Sequence, residues 1–153
     1  MWIEKLFTFA IIVANFWVSC GFQDGCKEVQ LISYDVTEFD SRGGGATIAR
    51  TVEPDDKKTY RIKSGSEVRI RCLLDISVDA RKNVQNQWRR GYTTVLSDND
   101  FEMKEIPFME TTTMYSLRID GVSSKLGGVY RFLSWNDYLC NSIVSVYINL
   151  EIY

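Results

Sequence analysis

Histidine is absent from all 153 residues, and only two prolines occur. The first absence removes imidazole acid–base catalysis, the serine triads that depend on it and His-ligated zinc. The second excludes a Pro-rich linker protein. With 45% hydrophobic and 25% charged residues, the composition is that of an ordinary globular chain rather than a disordered one. An excess of one charge is also missing: the formal net charge is -2, which gives no global reason to expect a nucleic-acid partner. Long apolar runs are scarce. The longest, Leu6 to Val18, covers thirteen residues broken by Thr8 and Asn15, whereas a bilayer span needs roughly 20. Lys5 precedes it and Ser19, Cys20 and Gly21 follow, so residues 1–20 have the layout of a secretory signal peptide. The other readings of that run are a buried helix or an uncleaved anchor. Cleavage leaves no stable membrane span. No Asn-x-Ser/Thr acceptor is present, so N-glycosylation is not expected.

Of four cysteines, cleavage near Cys20 leaves Cys26, Cys72 and Cys140. In an oxidising compartment this odd number implies one bridge and one spare thiol, or pairing between chains. Charge divides the mature chain. Residues 21–56 hold eight acids against three bases, and residues 57–153 hold eleven against fourteen. The acidic part carries two strand-like pieces, residues 29–36 and 46–52, separated by the flexible Gly43-Gly44-Gly45 and closed by the turn Glu53-Pro54-Asp55-Asp56. It is read as an N-terminal extension, with the domain proper at 57–153.

From there the chain alternates with period 2 between turn clusters. Val68, Ile70, Cys72 and Leu74 share one face of residues 67–74. Tyr115, Leu117 and Ile119 share one face of residues 114–120. Val144, Val146, Ile148, Leu150 and Ile152 continue the pattern at the end, and shorter strands fit 84–90, 92–96, 101–106 and 128–134. Seven or more half-apolar strands in about 100 residues predict an all-β, two-sheet sandwich.

Within that frame the residues from Ile62 to Cys72, with Gly65 at a turn, resemble the lead-in to strand B of the immunoglobulin fold. Trp88 lies where that family places its core tryptophan. The run Leu117-Arg118-Ile119-Asp120-Gly121-Val122 followed by Gly128-Val129-Tyr130-Arg131-Phe132 resembles the family segment L-x-I-x-x-V-x-x-x-D-x-G-x-Y-x-C, with Tyr130 at the tyrosine corner. The likeness spans 57–153. It departs from the family at Leu126, where an aspartate is common, and at Phe132, where the second core cysteine is expected. The resemblance implies that Phe132 fills the space of the missing bridge against Trp88, and that Cys72, Trp88, Leu117, Ile119, Tyr130 and Phe132 form the core. It also implies that the F–G hairpin lies near the first strand, which favours Cys26–Cys140 as the disulfide. Cys72–Cys140 is the alternative.

No catalytic, cofactor-binding or metal-binding residue is expected, and the chain is read as non-enzymatic. Cys72 has no base to activate it. Asp98, Asp100 and Glu102 lack a calcium-loop spacing, and the triple glycine lacks the lysine of a phosphate loop. Binding candidates are Trp135 and Tyr138 of the F–G hairpin, the residue types that anchor interfaces. The basic stretch contributes Arg69, Arg71, Arg89 and Arg90. Trp135 as a cover for the core end, and the bases as ordinary polar faces, are the plainer readings. The layout resembles small secreted single-immunoglobulin-domain proteins of invertebrates, including nematodes. That resemblance implies a secreted, extracellular binding protein at the cell surface, in the synaptic cleft or in matrix. Its partner would be a cell-surface or matrix protein, in a cell-adhesion or synapse-organisation setting of neurons or muscle. A matrix or proteoglycan component held by sulfated glycans is the alternative. A monomer and a homodimer both remain compatible with this reading.

Overall fold

The computed structural model describes residues 29–41, 47–136 and 142–153. Ten strands follow in chain order: β1 (Val29–Asp40), β2 (Ile48–Thr51), β3 (Thr59–Ile62), β4 (Glu67–Ile76), β5 (Val84–Arg90), β6 (Thr93–Thr94), β7 (Phe101–Pro107), β8 (Thr112–Ile119), β9 (Gly128–Asn136) and β10 (Ser142–Ile152). They form two five-stranded sheets, ordered β2-β1-β4-β8-β7 and β3-β10-β9-β5-β6. All pairings are antiparallel except β3 with β10, which run parallel. This is the two-sheet sandwich that the alternation predicts, in the immunoglobulin-like form that the resemblance implies.

The period-2 pattern becomes burial directly. In β4, Val68, Ile70, Cys72 and Leu74 are fully buried, while Arg69, Arg71 and Leu73 between them keep partial exposure. Strand β8 repeats this with Thr113, Tyr115, Leu117 and Ile119 inside. Trp88, Tyr130, Phe132, Val146 and Ile148 close the core from the second sheet. Phe132 sits between Trp88 and Tyr115, with ring centroids 4.9 and 5.3 Å away and tilted planes. Burying such a ring stabilises by about 1.5–3 kcal/mol, and each aromatic pair adds about 0.5–1.5 kcal/mol. That offsets part of a lost core bridge, worth about 2–5 kcal/mol. Cys72 is a free, buried thiol, and burial pushes its pKa above the ordinary thiol value. Cys26, Cys140, Tyr138 and the 6–18 apolar run lie outside the described residues.

The expected tyrosine corner is formed: the Tyr130 hydroxyl donates to Leu126 O at 2.7 Å, and burial holds its pKa up at about 12. Leu126, in place of an acid, ends a short 3-10 turn, Ser124–Leu126. Arg90 secures the same corner by donating to Gly127 O at 3.1 Å and to Lys125 O. Gly65 turns the chain into β4 with φ 85°, a left-handed conformation that disfavours a side chain.

The stretch 21–56, read from sequence as lying before the domain, is different in the fold. Strand β1 pairs with β4 from Val29 opposite Ile76 to Phe39 opposite Glu67, with a bulge at Ile32. Val36 and Val29 enter the core. The sandwich therefore begins at least at Val29. The sequence boundary followed composition, whereas backbone pairing to β4 follows the period-2 pattern that continues through the acidic stretch.

Candidate functional site

Alternation fixes the outer face of the second sheet. In β9, Tyr130, Phe132, Ser134 and Asn136 are buried inward, so Val129, Arg131, Leu133 and Trp135 project outward. In β10, Val144, Val146, Ile148 and Leu150 point in, leaving Ile143, Ser145, Tyr147 and Asn149 out. The ladder aligns these into rows: Gln85, Trp135 and Ile143; then Gln87, Leu133 and Ser145; then Arg89, Arg131 and Tyr147. Ile143 is 67% and Tyr147 60% exposed. Leu133 is buried yet separate from the core cluster, as expected for a side chain covered by its neighbours on the face.

Trp135 is thus half-buried on a sheet face. Of the F–G hairpin named from sequence, it belongs to the strand β9, which runs on through Asn136. Its parity directs it away from the core that it was alternatively expected to cover. Arg131 was missed by sequence reasoning. Its signal was the alternation of β9 itself, with the buried Tyr130 and Phe132 on either side.

The predicted basic residues separate by environment. On the outer face of the first sheet Arg69 meets Glu67 at 2.6 Å, and its guanidinium lies 4.4 Å from the Phe39 ring centroid. Arg71 meets Asp35 at 2.8 Å. Arg118 meets Glu67, Glu102 and Asp120 at 2.9, 3.4 and 2.9 Å. Hydrogen bonding from Lys104 and then from Arg118 outweighs desolvation and lowers the Glu102 pKa. Arg69, Arg71 and Arg90 therefore serve contacts within the chain. Arg89 lies on the other outer face and has no carboxylate at ion-pair distance among the described residues.

One acid that composition did not single out is Glu38 of β1. It is 2% exposed, accepts from Lys63 N–H at 2.7 Å and Ser66 Oγ at 3.1 Å, and pairs with Arg50. Burial opposes its charge, but these hydrogen bonds, Arg50's above all, prevail and lower its pKa. Glu38 ties β1, β2 and the turn before β4 together. Among the described residues, no group of three or more metal-ligating side chains converges, and no helix is long and apolar enough to cross a membrane.

The chain is similar to the crystal structure of the Down Syndrome Cell Adhesion Molecule, isoform 1.30.30, N-terminal eight Ig domains. The TM-score is 0.53 at 12% sequence identity, covering 68% of this chain and 12% of that one. The likeness is one of fold, and this chain spans only a small part of that protein's length. No protein-family model and no curated protein matches the sequence.

Proposed function

We propose that this chain is a secreted, non-enzymatic binding module that engages a protein at the cell surface or in matrix through the outer face of its second sheet. The observation that carries this reading is the patch of half-buried Trp135 and exposed Ile143 and Tyr147, which cover the buried Leu133 on the same face. An apolar and aromatic patch of this kind, rimmed by polar side chains, is the composition of interface cores. An adhesion or synapse-organising role fits a domain whose fold is shared with a cell adhesion molecule.

A Cys26–Cys140 bridge belongs to the same proposal. Val29 pairs opposite Ile76, and Val84 opposite Asn136, while a short turn joins Ile76 to Val84. The start of β1 and the end of β9 therefore share one end of the sandwich. Cys26 precedes Val29 by three residues and Cys140 follows Asn136 by four. Cys72 stays a reduced thiol. Retention in matrix by sulfated glycans draws less support, because the cations on the outer face of the first sheet are matched by acids.

A screen of the mature protein against cell-surface ectodomains tests the reading. Binding to an identified ectodomain, weakened at least tenfold by Trp135→Ala in a chain that still folds, is the expected result. Unchanged binding removes this face from consideration.

A further inference from the structure

Arg89 of β5 and Arg131 of β9 stand directly opposite each other in the ladder. Both project from the outer face, so their Cβ atoms are about 5 Å apart, where like charges repel. Neither meets a carboxylate at ion-pair distance among the described residues. Each is steadied by a neutral neighbour through Nε: Arg89 donates to Gln87 Oε1 at 2.7 Å, and Arg131 to Ser145 Oγ at 2.8 Å. The Arg131 guanidinium also lies 4.7 Å from the Tyr147 ring centroid. These contacts fix two guanidiniums in place and leave their terminal amino groups unengaged among the described residues. The first sheet answers its cations with acids, so an uncompensated pair on the second is a local exception.

We propose that Arg89 and Arg131 together capture a carboxylate of the protein partner, an Asp or Glu side chain inserted between them. Trp135, Ile143 and Tyr147 cover the apolar part of the same contact. The proposal rests on the reading of this face as the protein-binding surface and names the chemistry that the partner must bring. A guanidinium presents a planar fork that matches a carboxylate in two parallel hydrogen bonds. Apolar neighbours that exclude water strengthen the attraction. A sulfated glycan fits less well, because it is gripped by a long row of cations. Here the neighbouring rows are Gln87, Leu133 and Ser145 on one side and Val129 with Asn149 on the other.

The test is a random-peptide phage selection on the folded chain. Enriched peptides should share an Asp or Glu beside an apolar residue and weaken at least tenfold when that acid becomes Asn or Gln. Arg89→Gln and Arg131→Gln should each cost tenfold or more, and Arg69→Gln should cost nothing. Arg131→Glu should abolish binding while raising the melting midpoint, since an acid then faces Arg89 and the repulsion ends. That opposite movement of stability and binding separates a recognition role from a structural one. A selection that enriches no acidic motif overturns the proposal, as does a heparin oligosaccharide that uses both arginines when acidic peptides do not. If Trp135→Ala weakens the peptides but the arginine variants do not, the face survives and the carboxylate clamp falls. If neither matters, both fall.

Discussion

At the scale of single residues, the core is held by packed aromatic rings. Phe132 is fully buried and touches both Trp88 and Tyr115. Phe132→Ala should therefore lose about 3–5 kcal/mol in denaturant unfolding, well beyond what an outward residue such as Val129 would cost. A loss below about 1 kcal/mol would mean that the aromatic contacts contribute little. Glu38 sets a pH dependence. Its folded-state pKa lies below the ordinary 4.5, so its contribution is complete above that value and is lost as pH falls through the folded one. Denaturation midpoints measured downward from about pH 5 should fall, and Glu38→Gln should flatten that acid limb.

Elements show where sequence reasoning succeeds and where it stops. Strand β5 matches the predicted 84–90, and β4 the predicted 67–74 with two residues added, because half-buried strands write their burial into alternation. Strand β3 was missed as a strand of its own. It is four residues long, and its partner in the ladder is Asn149 to Ile152 at the far end of the chain. The pairing of Arg71 with Asp35, 36 residues apart, was likewise invisible, because only the β1–β4 register brings them opposite. The opposition of Arg89 and Arg131 depends on register in the same way. Charge misled the boundary: the acidic stretch 21–56 reads as an extension before the domain, yet β1 within it is an inner strand of its sheet. A chain beginning at Lys57 loses β1 and β2 and exposes the edge of β4. It should give a broad, non-cooperative thermal transition where the chain from Val29 gives a sharp one; equal transitions would return β1 and β2 to the role of an appendage.

For the whole molecule, the two outer faces have different electrostatic characters although the net charge is only -2. One is a lattice of exposed ion pairs, each worth about 0–1 kcal/mol, whose charges largely cancel at a distance. The other carries arginines among aromatic and aliphatic side chains. Heparin chromatography reads this difference. Elution near physiological salt is expected, with no change for Arg69→Gln or Arg71→Gln. Tight retention that those two substitutions abolish would favour the glycan alternative.

The position of β10 has a further consequence, in time. It follows the nine other described strands in the chain, yet it lies inside its sheet, between β3 and β9. Strand β3 can therefore join β9, β5 and β6 in that sheet only through the eleven residues of β10. Tyr60 meets Leu150 only once β10 is made, and contacts so distant in sequence form slowly. During synthesis the nascent chain holds an open β9 edge and an orphaned β3. A chain cut short before β10 would leave β3 without its neighbour and take Val144, Val146, Ile148 and Leu150 out of the core.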